Sequence, residues 1–337
     1  MATQNSDFSS VDAQSTEAPS AWRARTVLIV LTLIATVQFF DRALMVVILE
    51  PLKQEFSLTD AQLGFLSGFS YAAAFALAGI PFGWMADRGN RRNLLAALLA
   101  IWSALVAFAG SANSFMALVL TRVGIGAADA GGQPCSVSII SDLYPTQRRA
   151  SAVAIFFVGV PLGMASGFIV GAIVAGQLGW RTAFYVAAAP GVLLTILLLL
   201  LVKEPKRGAS DGLQESKDNA PPLSDTFAFM RSQKSLVYLM AASVLVTASS
   251  SAMMSWIGSL LVRVHGLSLE NVGLLTGLCM GGFGAIGTLV FGWVADRQGA
   301  KDMRNQPRMM AIAAAVIAIS GTAVSLLPTV LGAAISL

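Results

Sequence analysis

Two full charges, Asp41 and Arg42, sit side by side in the stretch "ATVQFFDRALMVVILE", inside a run from Val27 to Leu49 that is otherwise almost wholly apolar. A second pair, Arg122 and Asp129, interrupts the apolar run 115–140 in the same way. An ionic side chain near the centre of a membrane helix costs about 2.5–3.5 kcal/mol on insertion scales, so such groups face a bundle interior or an aqueous cavity. Arg122 and Asp129 are seven residues apart, which puts them on nearly one helical face about 10 Å apart along the axis. Measured inward from the same edge, Asp41 lies ~13 Å deep and Arg122 ~10 Å deep. The four residues can therefore meet as one balanced constellation. The chemistry open to them is proton exchange on Asp41 and Asp129, with Arg42 and Arg122, which keep their charge, as counter-ions or as ligands of an anionic solute.

Helices that cross a bilayer must position these groups. The chain has 337 residues, 55% of them hydrophobic and only 12% charged, about half the charged share of a soluble domain. Its apolar runs have the ~20-residue length that a bilayer core needs. They fall near 27–49, 62–84, 93–112, 115–140, 150–174, 181–202, 235–262, 271–294 and 308–328. After Pro328 the stretch "TVLGAAISL" begins a tenth run and stops. The expected fold is an all-α polytopic membrane bundle of nine spans plus a stub of the tenth, C-terminally truncated, with the second half incomplete.

The basic residues give the orientation. With the N-terminus cytoplasmic, most of the 22 Lys and Arg fall in cytoplasmic turns, leaving only Lys53, Arg181 and Arg263 outside, as the positive-inside bias requires. That distribution also accounts for the net charge of +4 without nucleic acid as a partner. The two cysteines, Cys135 and Cys279, lie in apolar spans, and the one histidine, His265, lies in an outer loop. No metal cluster or nucleophile–base set is available, so neither a metal cofactor nor an enzyme is expected. Residues 1–26 read as a disordered cytoplasmic tail without the short apolar core of a cleaved signal. Residues 204–233, with Pro221-Pro222, read as a cytoplasmic linker between a six-helix half, 27–203, and a partial second half, 234–337.

An internal repeat supports the two halves. "FGWMADRGNRR" from Phe82 and "FGWVADRQGAK" from Phe291 both close the second span of their half. Asp87 would stand at a helix C-terminus, where the macrodipole disfavours an anion, so Arg88, Arg91 or Arg92 is expected to compensate it. Gly83 would allow close approach to a neighbouring helix. Small residues also recur every four positions at Gly159, Gly163, Gly167 and Gly171, and again at Gly273, Gly277 and Gly281. Such ridges allow membrane helices to pack backbone to backbone.

These motifs resemble the major facilitator superfamily. Gly83, Asp87, Arg88, Arg91 and Arg92 are similar to its signature loop, and Gly292, Asp296, Arg297, Gly299 and Lys301 to the second copy. The resemblance implies a conformational latch at these residues and two pseudo-symmetric halves. It also implies that the two glycine-ridged helices meet across the interface between halves. Asn90 replaces the common glycine, and a tolerance for left-handed backbone would suit it there. "FFDR", "RVGIGAADA", "SDLYPTQRRASAVAIFFVGVPLG" and "VKEPKRG" resemble segments of the spinster-like branch, in which Asp129 takes the place of a glutamate. The resemblance implies a monomeric, multi-pass secondary transporter in a bacterial inner membrane, working by alternating access, with protons as coupling ion. Its solute would be an amphipathic or organic anion of lysolipid type. A drug, sugar or organic-acid permease of the same superfamily, and a transporter-derived scaffold or inactive fragment, are the alternatives. Gln38, Ser67, Ser70, Tyr71, Gln133, Ser136 and Ser138 could line the cavity, though helix–helix hydrogen bonding explains them equally well.

Overall fold

A computed structural model describes residues 21–205, 207–208 and 229–283, with isolated positions beyond them. Among the described residues the secondary structure is helical, with no strand. The helices are α1 (Ala21–Val47), α2 (Leu49–Phe56), α3 (Asp60–Gly64), α4 (Ser70–Arg88), α5 (Arg91–Gly110) and α6 (Phe115–Ala130). They continue as α7 (Gly132–Leu143), α8 (Thr146–Phe157), α9 (Gly159–Leu178), α10 (Trp180–Leu201), α11 (Lys234–His265) and α12 (Leu269–Gly277). Among the described residues, seven stretches are long and apolar enough to cross a membrane: 22–47, 60–88, 91–110, 115–143, 151–178, 180–201 and 234–265. The expected eighth run is described only as far as the wide π-turn Leu278–Phe283. Most of the expected ninth, and the second loop motif with Gly292, Asp296 and Arg297, lie outside the described residues.

Proline explains where the helices break. The ring removes one N–H and collides with the carbonyl four residues earlier. α1 ends at Val47, four residues before Pro51; α6 ends at Ala130, four before Pro134; α8 ends at Phe157, four before Pro161. The fourth and fifth spans are thus each two helices in series, interrupted where the sequence pattern showed one continuous apolar run. Pro81 and Pro190 are instead carried inside α4 and α10.

One boundary is corrected. α1 starts at Ala21, so 21–26 is helix and not tail. Arg23 and Arg25 are on the first turns of this helix, where their long stems can reach polar surroundings while the backbone stays hydrogen-bonded.

The glycine ridges pack closely, but not against each other. A Cβ on Gly159 would lie 2.6 Å from the Thr32 carbonyl oxygen, and one on Gly167 2.5 Å from that of Phe40. Gly163 meets Thr36 and Gly171 meets Leu44 in the same register. This ridge is therefore the seam between α9 and α1, both inside the first half and running in the same direction. The opposite face of α9 receives the second ridge. Gly273 meets Phe168 and Ala172, Gly277 meets Ala165 and Ile169, and Gly281 meets Pro161 and Ala165. Of the two ridges, only the second lies across the boundary between halves. The four-residue spacing marks a close approach and carries no information about the partner.

Candidate functional site

Asp41 and Arg42 leave α1 about 100° apart around the helix axis, so neighbours in sequence can serve different partners. Both partners come from α6. Arg122 donates from Nη1 to Asp41 Oδ2 at 2.9 Å and from Nη2 to Oδ1 at 3.4 Å. Arg42 donates from Nη2 to Asp129 Oδ2 at 3.3 Å. The four charges anticipated as one constellation thus form two ion pairs stitching α1 to α6.

The pairs differ in kind. Asp41 and Arg122 are sealed, with side chains 1% and 4% exposed, and both carboxylate oxygens are taken. Phe184 of α10 lies 5.5 Å from the Arg122 guanidinium carbon. In the second pair Asp129 is buried but the Arg42 side chain is 32% exposed, and they share a single, longer contact. Tyr71 of α4 donates its hydroxyl to the same Asp129 oxygen, Oδ2, at 2.6 Å. Asp129 Oδ1 is buried without a partner among the described residues, as is Arg42 Nε. Such an orphan atom in a native interior needs a physical account. Here it is a carboxylate oxygen with room to accept, beside a guanidinium with an unused donor.

The guanidinium of Arg42 is boxed by aromatic faces, 4.5 Å from the Phe39 ring centre, 5.0 Å from Tyr71 and 5.7 Å from Phe75. Cation–π attraction of about 0.5–2 kcal/mol can hold the cation when its carboxylate contact is lost. Gln38, one turn before Arg42, is buried with its amide against Gly132, whose Cβ would lie 3.0 Å from Nε2. Tyr71 was legible only as one of several polar groups in a span; its neighbourhood with Gly126, where the α4 and α6 backbones touch, brings it to Asp129.

The first loop motif is a separate charged cluster near the N-terminal end of α5, and it departs from the expected arrangement. Arg91 is buried, and Asp87 is not among its partners. It pairs with Asp142 at the end of α7, donates to Glu204 Oε1 at 2.8 Å and Ser138 Oγ at 2.7 Å, and reaches the Pro205 carbonyl at 3.0 Å. Arg92 donates its backbone N–H to Glu204 Oε2 at 2.8 Å. Asp87 is exposed and forms no ion pair with a described residue, and Arg88 lies over Trp84 instead, 4.6 Å from the ring centre. A Cβ on Gly83 would meet no described residue within 4 Å, so no close approach is made there among the described residues. Asn90 has φ −80° and accepts from Asn93 N at 2.8 Å; it caps α5 in extended backbone and needs no left-handed conformation. Arg207 donates at 2.8 Å to the carbonyls of both Ala86 and Gly89, holding the end of α4. Glu204 and Asp142, 113 and 51 residues from Arg91, were not singled out by the sequence reading.

At the opposite end of the bundle, Glu55 accepts from Trp180 Nε1 at 2.6 Å and pairs with Arg181 at 2.7 Å. The Arg181 hydrogen bond holds the Glu55 carboxyl below its ordinary range. No group of His, Cys, Asp and Glu able to hold a metal occurs among the described residues.

The family model described as Major Facilitator Superfamily matches residues 31–337. An MFS-type efflux pump of Mycolicibacterium smegmatis is 31% identical over 82% of this chain and 63% of its own length. Protein spinster homolog 1 of Homo sapiens is 31% identical over 61% of this chain and 39% of its own. The sphingosine-1-phosphate transporter SPNS2 of Danio rerio is 28% identical over 72% of this chain. The chain thus spans between about two fifths and two thirds of these relatives. Among solved structures, a bacterial homologue of the human lysosomal transporter spinster, inward-facing and unoccupied, superposes with a TM-score of 0.79. It has 29% identity and covers 94% of this chain and 72% of that one. A D-xylose–proton symporter, 18% identical with a TM-score of 0.64 over 93% of this chain and 77% of its own, shares the fold.

Proposed function

Because the chain belongs to the major facilitator superfamily, with spinster-like relatives, we propose that it forms part of a proton-linked secondary transporter for an amphipathic organic anion. The observation that carries this reading is Asp129: a buried carboxylate with one oxygen unpartnered and the other shared between Tyr71 and a single 3.3 Å contact from Arg42. Arg42 is the cation that can change partners. A solute anion drawn to it would leave Asp129 buried without a counter-charge, and taking up a proton avoids that cost. Solute and proton would then occupy the same state and move together as the halves rock. The Asp41–Arg122 pair, sealed and fully satisfied, serves in this reading as the fixed link between α1 and α6.

An anionic head on an apolar body suits Arg42 inside its box of Phe39, Tyr71 and Phe75. The relative named as a sphingosine-1-phosphate transporter supports a lipid of that class. The similarity to inward-facing structures supports a state open toward the cytoplasm. The basic-residue bias supports a cytoplasmic N-terminus, in what we take to be a bacterial inner membrane.

Liposomes containing the protein test the reading. A pH gradient should drive accumulation of a single-chain phospholipid such as lysophosphatidylglycerol. Asp129→Asn should abolish gradient-driven accumulation while retaining solute exchange at equal pH. Undiminished gradient-driven uptake by Asp129→Asn would contradict it.

A further inference from the structure

The end of the bundle remote from the N-terminus carries a charged cluster that joins the two halves and takes no part in the site above. Arg263, in the last turn of α11, splits its guanidinium between two elements of the first half. Nε donates to Glu50 Oε1 of α2 at 2.6 Å, and Nη2 meets Asp60 Oδ1, the first residue of α3, at 2.9 Å. Lys53 Nζ donates to that same Asp60 oxygen at 2.7 Å. One guanidinium therefore ties the extension of the first span to the start of the second, from across the boundary between halves.

Glu50 is the buried member of the cluster, whereas the Asp60 side chain is 55% exposed and that of Arg263 32%. The Glu50 side chain is 12% exposed. Trp256, two turns before Arg263 on α11, reaches Gly64, whose Cβ would lie 3.5 Å from its ring. Gly258 lies against the Val46 carbonyl, at 3.1 Å from its would-be Cβ. Leu261 and Ile257 are buried between these contacts. A weaker polar contact lies alongside, Gln177 Nε2 to Glu270 Oε1 at 3.4 Å, between the end of α9 and the start of α12.

Glu50 gives the cluster its direction. A carboxylate nearly out of water is tolerable while a guanidinium faces it, and costly without one. Opening this end would hydrate Glu50, Asp60 and Arg263 separately. Removing Arg263 therefore destabilises only the closed arrangement, since in the open one Glu50 has water. We propose that Arg263, clamped on Glu50 and Asp60, is a lock that holds this end of the transporter shut and sets the equilibrium between its two facing states. The proposal rests on the two-state reading of the fold but not on proton coupling or on any solute.

The lock is tested by accessibility. In protein with Cys135 and Cys279 replaced by alanine, Leu261→Cys places a thiol at a position that is buried while this end is shut. A membrane-impermeant maleimide then reports the open fraction with no solute present. Arg263→Ala should raise the labelling rate about tenfold, the scale of one lost charge-assisted contact. Glu50→Gln should raise it less, and Arg263→Lys, which keeps the charge but lacks the fork that reaches both acids, should fall between the parent and Arg263→Ala. Leu99→Cys, buried within the first half, should label no faster in any of these backgrounds. An unchanged Leu261→Cys rate in Arg263→Ala overturns the lock. So does an equal rise at Leu99→Cys, which would mean general loosening. Failure here with Asp129→Asn still uncoupled in liposomes would leave the coupling reading intact.

Discussion

Asparagine at position 41 separates the two roles given to the ion pairs. Asp41 and Arg122 are 1% and 4% exposed at the side chain, and both carboxylate oxygens accept from the guanidinium. Asp41→Asn keeps the shape and removes the charge, leaving a buried guanidinium facing an amide. Breaking a buried pair by losing one partner costs about 3–5 kcal/mol, whereas replacing both partners with apolar groups of similar volume is often neutral or better. The expected order of stability is therefore parent, close to Asp41→Leu/Arg122→Met, then Asp41→Asn well below. A loss of that size should lower the melting midpoint by several degrees, measured by tryptophan fluorescence in detergent. Asp129→Asn should cost far less, about 1 kcal/mol or under. Its partner Arg42 is one-third exposed and keeps three aromatic faces, which can supply much of what the carboxylate did. An Asp41→Asn variant that melts with the parent, or an apolar double variant that falls as far as the single one, would refute the assigned roles.

Other substitutions probe the packing and the polar ends. Gly167→Ala would push a Cβ to 2.5 Å from the Phe40 carbonyl oxygen and 2.8 Å from Ala43 Cβ, and should cost about 1–3 kcal/mol. Gly79→Ala meets open space in the interior of α4 and should be neutral or up to about 1 kcal/mol stabilising; paired thermal melts decide both. Glu55 is held below its ordinary range by Arg181, so its contribution is present above the unfolded-state value of about 4.3 and fades as pH falls through the lower native value. Both side chains are more than a third exposed, which limits it to under about 1 kcal/mol. Melts of Glu55→Gln against the parent should differ at neutral pH and converge under acid conditions.

What the sequence disclosed divides along physical lines. Charge inside an apolar run is visible one residue at a time, because the insertion cost demands a reason. Asp41, Arg42, Arg122 and Asp129 could therefore be singled out, and helical spacing sufficed to bring them together. Which acid met which base could not be read, since it depends on how α1 and α6 are rotated about their axes. Tyr71 gave no comparable signal because a tyrosine in a membrane span needs no explanation. The Arg91 cluster failed for a different reason. Its motif suggested a local partner in Asp87, but the acids it uses, Asp142 and Glu204, come from other spans and meet it only through packing. Proline breaks were foreseeable in kind, yet Pro51, Pro134 and Pro161 ended helices while Pro81 and Pro190 did not.

Infrared difference spectroscopy of the protein in lipid, titrated through the acid range, reads the proposed proton site directly. The parent should gain a protonated-carboxyl band on acidification that Asp129→Asn lacks and Glu55→Gln retains. A band of full strength in Asp129→Asn would place the proton elsewhere and contradict the account.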